Sequence, residues 1–210
     1  MFAATTYEEI IEHEKMVENK EIVVFLFAKS TDTDVLNEFE YIHYNSAKYC
    51  TIYAIGYTDD FTKKDDGSYR KVNIPMQNDW YFSVNAFVDF KNKLEDRINW
   101  KYSGETELLI LQNKPLQSDP LDFNNYVAID VYKGIKEGYM DSFQRFMESL
   151  VRSARKKVTA KDAINDIRKS RISVKEIIAE SIDDCKRISA PYKKILKDRL
   201  FYRCGNIIKK

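Results

Sequence analysis

Cysteine and histidine, the residue types with the most reactive side chains, are few and widely spaced in this sequence. The three cysteines, Cys50, Cys185 and Cys204, are an odd number without a CxxC pair, and the only histidines are His13 and His43. A disulfide framework or a zinc site is therefore not expected. Cys50 begins the apolar segment CTIYAIGY, which favours a buried structural thiol over a reactive one.

Short motifs that carry nucleotide or hydrolytic chemistry are also missing from the sequence. It contains no GxGxxG, P-loop, GxSxG or HExxH pattern, and acidic pairs such as Asp59 and Asp60 are of the kind found in solvated loops. Six glycines in 210 residues leave little scope for a backbone cradle around phosphates. Nucleotide hydrolysis is therefore not expected, and no cofactor is predicted from these patterns.

Charge is distributed unevenly along the chain, although the formal net charge is only +1. Residues 151–210 contain 18 Lys and Arg against 7 Asp and Glu, which leaves 16 basic and 26 acidic residues in the first 150. Such a split favours either an anionic partner for the basic part or its packing against the acidic part. The candidate contacts to nucleic acid or an acidic protein are Arg152, Arg155, Lys156, Lys157, Arg168, Lys169, Arg171, Lys193, Lys194 and Lys197.

The size and composition are those of a folded domain. The chain has 210 residues, of which 44% are hydrophobic and 13% aromatic, so it can bury a sizeable core. No apolar run is long enough to span a bilayer, and the first residues lack the basic flank and apolar stretch of a signal peptide. A cytoplasmic location without a membrane partner is therefore predicted, and the oligomeric state is left open.

A strand, helix, strand unit is predicted near the start of the chain. The first helix, over TTYEEIIEHEKMVENK, precedes the continuous apolar run EIVVFLFAKS, which predicts a buried strand. Helical spacing follows up to residue 49, and CTIYAIGY predicts a second strand that pairs in parallel with the first. The loop with Ser30, Thr31, Asp32 and Asp34 then lies at the carboxyl edge of the sheet, where ligands usually bind in α/β folds.

The later segments predict an α/β fold: a mixed sheet of about four to five strands flanked by helices. Residues 59–80 predict a surface excursion or small hairpin, and residues 84–98 an amphipathic helix. ETELLILQNK and YVAIDVYKG predict antiparallel strands, followed by a striped helix over residues 140–157 that packs on the sheet. Three short basic helices complete the prediction, which divides the chain into an α/β domain, 1–157, and a basic helical region, 158–210.

This order of elements over residues 5–157 resembles the thioredoxin-like fold. Redox-active members carry a CxxC pair at the start of the helix that this chain begins at Ser30 to Asp34, and there is no thiol in that loop. Residues 104–107, Gly-Glu-Thr-Glu, replace the proline that the family places before the first strand of the final pair. The resemblance implies a redox-inactive member used as a binding scaffold.

Residues 82–157 also resemble the core of restriction-endonuclease-like nucleases. In that resemblance, a helix is followed by a short strand over WKYSGE, two longer strands and a helix. It implies that Glu107 and Asp130 hold Mg²⁺ or Mn²⁺ and that Lys133 steadies the attacking water or the scissile phosphate. The family spacing is acid-x-Lys, whereas Asp130 and Lys133 lie three apart and on opposite faces of a strand unless a bulge intervenes. Exposed charges at a strand end are the competing interpretation.

Three hypotheses about function follow from these observations. The first is a non-catalytic α/β binding module whose basic C-terminal helices engage an anionic partner, either nucleic acid or an acidic protein. The second is a metal-dependent nuclease, and the third is a structural subunit of a larger protein assembly.

Overall fold

Sixteen segments of regular structure make up the described part of the chain. The computed structural model describes residues 1–17, 22–46, 49–75, 79–114, 117–138, 140–163 and 202–205. The strands are β1 (Phe2–Ala4), β2 (Ile22–Phe27), β3 (Thr51–Ile55), β4 (Tyr57–Thr58), β5 (Arg70–Val72), β6 (Trp80–Phe82), β7 (Glu107–Asn113), β8 (Leu121–Asp130) and β9 (Tyr202–Gly205). The helices are α1 (Tyr7–Met16), α2 (Thr33–Leu36), α3 (Phe39–Ser46), α4 (Val84–Arg97), α5 (Val131–Lys136) and α6 (Phe143–Ala163), with a 3-10 turn over Phe61–Asp65.

A six-stranded mixed sheet forms the centre of the molecule, in the order β1-β3-β2-β7-β8-β9. β3 pairs in parallel with both β1 and β2, as expected for strands joined by helical crossovers. β7 is antiparallel to β2, β8 to β7 and β9 to β8. The α/β class, the parallel pairing of β2 with β3 and the antiparallel pairing of β7 with β8 are thus confirmed.

Helices cover the sheet because its central strands are apolar on both faces. Every residue of β2 is fully buried, which is typical of a strand covered on both sides. Phe25 and Phe27 pack edge to face against Phe90 of α4, so α4 lies on their face of the sheet. α3 and α6 pack against each other, and α6 buries Phe146 and Leu150.

The polar excursion after β3 forms a second, smaller sheet. β4, β6 and β5 make a three-stranded antiparallel sheet in that order, with the buried residues Trp80, Tyr81 and Phe82 on its central strand. Gly56 joins the two sheets: its N–H donates to the Ala4 carbonyl at 2.8 Å, and its own carbonyl accepts from the Ser83 N–H at 2.9 Å. The excursion is therefore attached to the core rather than lying loose on the surface.

Several local predictions are wrong. The predicted strand over YVAIDVYKG ends at Asp130, and residues 131–136 form α5, because the Asp130 carboxylate accepts the Lys133 N–H at 2.8 Å and caps the helix. Residues 100–105 are irregular instead of a short strand. The predicted helix up to residue 49 is two helices, α2 and α3.

The sheet is also larger than the four to five strands predicted, because the short edge strands β1 and β9 add to it. α6 continues across the predicted domain boundary at residue 157, and β9 joins the sheet of the α/β domain. The three basic helices predicted beyond residue 158 lie mostly outside the described residues. None of the helices in the described ranges is long and apolar enough to cross a bilayer.

Candidate binding cleft

A cleft of about 590 Å³ opens at the edge of the sheet where β2 ends. Its walls come from the loop and first turns after β2 (residues 31–38), the residues just before β7 (105 and 106), α5 (131–135) and the start of α6 (141–144). Four separate segments meet there because β2 runs antiparallel to β7, so the end of β2 lies beside the beginning of β7. The volume lies within the range of roughly 300–1,000 Å³ that is usual for ligand pockets.

Asp32 fixes the loop that forms one wall of this cleft. Its carboxylate accepts a hydrogen bond from the Lys29 N–H at 3.0 Å and another from the Thr106 hydroxyl at 2.7 Å. The second bond joins the loop after β2 to the residue that precedes β7. Asp32 holds the N-cap position of α2 without a capping side-chain hydrogen bond, and its Oδ2 accepts from both of these donors. These two hydrogen bonds therefore fix the position of this wall of the cleft.

The rim of the cleft is acidic. Asp34, Glu38, Glu105 and Asp141 lie along it, and the described lining contains no Lys, Arg or His. Asp141 pairs with Arg145 at 2.6 Å. Burial and the negative charge of Glu148 raise the pKa of Glu38, because both disfavour its charged form. Of the four rim acids, only Asp141 has an ion-pair partner in the described part of the chain. The negative charge of the other three is therefore not balanced by a described cation.

Apolar side chains line the same cleft as these acids. Tyr132 and Ile135 on α5 are 51% and 39% exposed, whereas Val35 and Phe143, which also line the cleft, are buried. Val131 and Gly134 occupy the buried side of α5, so Tyr132 and Ile135 cannot face the core. The cleft therefore combines apolar surface with carboxylates in its lining.

The predicted ligand loop is part of this cleft. Thr31, Asp32 and Asp34 line it, whereas Ser30 precedes the lining residues. The sequence located this edge of the sheet but gave no signal for the opposite wall, where α5 replaces a predicted strand.

The residues implied by the nuclease resemblance have structural partners. Glu107 is fully buried, and its carboxylate accepts from the Trp100 indole N–H at 2.8 Å and from the Ser103 N–H at 3.2 Å. Glu107 and Asp130 are opposite each other in the β7 and β8 pair, so the structure does bring these two acids together. Lys133 lies in the first turn of α5, not on a strand. In the described ranges, no three or more His, Cys, Asp or Glu side chains are grouped so as to hold a metal ion.

The basic candidates are only partly within the described residues. Arg152 and Arg155 are exposed on α6, while Ser153 and Ala154 between them are buried, so the two arginines share the outer face of the helix. The Arg155 guanidinium lies 5.8 Å from the centre of the Tyr49 ring. Lys156 and Lys157 continue α6. The remaining candidates, Arg168, Lys169, Arg171, Lys193, Lys194 and Lys197, lie outside the described residues.

One buried polar cluster was missed by the sequence analysis. The fully buried carboxylate of Glu14 accepts from the Tyr53 hydroxyl at 2.6 Å and from the Asn113 side-chain amide, and His13 Nδ1 lies 2.5 Å from the same hydroxyl. Burial, followed by the charge of Glu14, raises the pKa of Tyr53. Glu14 follows Ile10 by one helical turn and so lies on the buried face of α1; that spacing is the signal that could have found it.

Comparison with known proteins gives no relative for this chain. It matches no protein-family profile, no curated protein and no solved structure. Its function is therefore inferred from its own residues.

Proposed function

We propose that this protein is a non-catalytic α/β binding module of thioredoxin-like topology whose basic C-terminal part engages an anionic macromolecule. The strand order β1-β3-β2-β7-β8 supports the topology, since its first three strands are parallel and its last two antiparallel. The loop after β2 carries Asp32 in place of a thiol, which supports a scaffold role over dithiol chemistry.

The observation that carries the binding proposal is the separation of charge. Residues 151–210 hold 18 basic and 7 acidic side chains, whereas the first 150 residues hold 16 and 26. Arg152 and Arg155 stand exposed where this basic part begins on α6. A phosphate backbone would be attracted to that part and repelled by the remainder of the protein, so the charge distribution orients the complex.

Fluorescence anisotropy tests the proposal directly. The full-length protein is titrated into labelled single-stranded DNA, duplex DNA and RNA across a salt series. The variant with Arg152→Glu and Arg155→Glu is compared with a control that carries Arg70→Glu and Lys136→Glu, two exposed cations outside the basic part. The net charge changes equally in both variants. A difference in affinity between them therefore reports a local contact at Arg152 and Arg155.

The basic surface is expected to bind at least one nucleic acid with an affinity that falls steeply as salt rises. The α6 variant should weaken binding about tenfold and flatten the salt dependence, with little change in the control. Equal weakening in both variants would show attraction to overall charge alone. Binding to none of the three nucleic acids would exclude them as the anionic partner and leave an acidic protein surface or a larger assembly.

A metal-dependent nuclease remains the second candidate, because Glu107 and Asp130 are neighbours across β7 and β8. The same labelled nucleic acids incubated with Mg²⁺ or Mn²⁺ test it. Metal-dependent cleavage of the labelled nucleic acid would favour the nuclease. Nucleic acid that stays intact would favour the binding module.

A further inference from the structure

The cleft combines exposed apolar side chains with carboxylates, of which only Asp141 has an ion-pair partner among the described residues. Tyr132 and Ile135 lie one helical turn apart on α5 and are 51% and 39% exposed. Asp34, Glu38 and Glu105 line the same cleft, and no Lys or Arg of the described chain lies within ion-pair distance of these three carboxylates. We propose that the cleft binds a protein segment in which lysine or arginine alternates with large apolar residues.

The apolar half of the surface argues for a peptide rather than a small cation. A bound metal ion or polyamine would leave Tyr132 and Ile135 in water, whereas a leucine or phenylalanine between them would cover both. A cleft of about 590 Å³ has room for a few side chains but not for a folded domain. The occupant is therefore a short segment of a protein chain.

The acidic half of the surface sets the charge of that segment. An anionic ligand would be repelled by Asp34, Glu38 and Glu105, so this site is separate from the nucleic-acid surface proposed on α6. The raised pKa of Glu38 has burial and Glu148 as its causes, and a cation beside it would favour its charged form. Lysine and arginine supply that cation on a long apolar stem, which can lie along the same surface.

The cleft is also arranged before any ligand arrives. Asp32 is held by the Lys29 N–H and the Thr106 hydroxyl, and a Cβ added to Gly134 would come within 3.1 Å of the Met140 sulfur, which shows how closely α5 is seated. Little ordering is then required on binding, which favours recognition of an extended segment.

Binding of designed peptides to the full chain tests the proposal. The probe is a fluorescein-labelled peptide of alternating lysine and leucine, with two matched peptides in which glutamate replaces lysine or serine replaces leucine. Tight association is expected for the lysine and leucine peptide alone. No association, or equal association of either matched peptide, overturns the proposal.

Variants then locate the contact. Glu38→Gln with Glu105→Gln removes rim charge, and Tyr132→Ser with Ile135→Ser removes the apolar surface; each pair should lower the affinity about three- to tenfold. The control is Asp59→Asn with Asp89→Asn, two exposed acids away from the cleft whose loss changes the net charge equally. An equal loss of affinity in the control overturns the proposal, because it means that the peptide recognises general acidity.

Discussion

At the scale of single residues, the buried carboxylates are stabilised by specific donors. Glu107 has no exposed surface and accepts from Trp100 at 2.8 Å and from Ser103 at 3.2 Å. A buried charge without such partners would cost several kcal/mol, on the order of the desolvation penalty for an ion in a protein interior. The irregular segment before β7 is therefore ordered by its contact with Glu107.

Trp100→Phe should destabilise the protein, because it keeps an aromatic ring while removing the indole donor to Glu107. We expect a loss of about 1–3 kcal/mol in the free energy of unfolding, measured by urea denaturation. Tyr81→Phe is the control, since the Tyr81 hydroxyl is buried without a hydrogen-bond partner in the described part of the chain. Comparable losses in the two variants would contradict the role assigned to the Trp100 hydrogen bond.

Sequence reasoning singled out Glu107 as a possible metal ligand but did not predict its partners, Trp100 and Ser103. Residues 100–106 have no regular period, so nothing in the sequence indicates that the Trp100 indole folds back onto a carboxylate seven positions later. The prediction placed Asp32 at the correct edge of the sheet, because it required only that a strand be followed by a helix. The hydrogen bond from Thr106 to Asp32 joins residues 74 positions apart, and local patterns contain no information about it.

At the scale of elements, Gly56 is the point where the second sheet leaves the core. It has a φ of +84°, and an added Cβ would lie 2.8 Å from the Phe87 Cβ on α4. Both the backbone conformation and the close approach of α4 therefore require glycine.

Gly56→Ala should lower the free energy of unfolding by about 2–4 kcal/mol, the combined cost of a strained φ and an overpacked contact. Gly104→Ala separates these causes, because Gly104 has a φ of +94° but nothing within 4 Å of an added Cβ. Thermal and urea unfolding should show a loss of about 1 kcal/mol for Gly104→Ala. If the two variants lose the same amount, the contact between Gly56 and Phe87 does not restrict the junction.

The elements that were predicted correctly are those with local signals. β2 and β3 are continuous apolar runs, and α4 has a clear amphipathic period after the capping Ser83. α5 was missed because Val131 to Lys136 continues the apolar character of β8, and only the cap at Asp130 ends the strand. β9 was missed because four residues give no period, and its partner β8 lies far earlier in the sequence.

At the scale of the whole molecule, buried tyrosines make the stability sensitive to alkaline pH. Burial is the largest cause that raises the pKa of Tyr7, Tyr53, Tyr57 and Tyr102 above the value of about 10 that an unfolded chain has. Deprotonation then favours the unfolded state. This contribution to stability is fully present below about pH 10 and is lost as the pH rises further toward the folded-state values.

Urea unfolding at a series of pH values between 8 and 12 should therefore show a falling midpoint above about pH 10. Tyrosinate absorbance of the folded protein should lag behind that of the urea-unfolded chain, which titrates near pH 10. A folded protein whose tyrosines all titrate with the unfolded chain, without loss of stability, would contradict the burial of these hydroxyls.

The position of β9 at the edge of the sheet affects the protein during its synthesis on the ribosome. β8 is synthesised well before β9, with residues 131–201 between them, and β9 covers the outer edge of β8 from Tyr126 to Ile129. Until β9 is made, the backbone groups of this edge lack the hydrogen bonds that β9 provides. Such an edge is a template for pairing with other chains, so slow synthesis before β9 is made is expected to favour aggregation of the nascent protein.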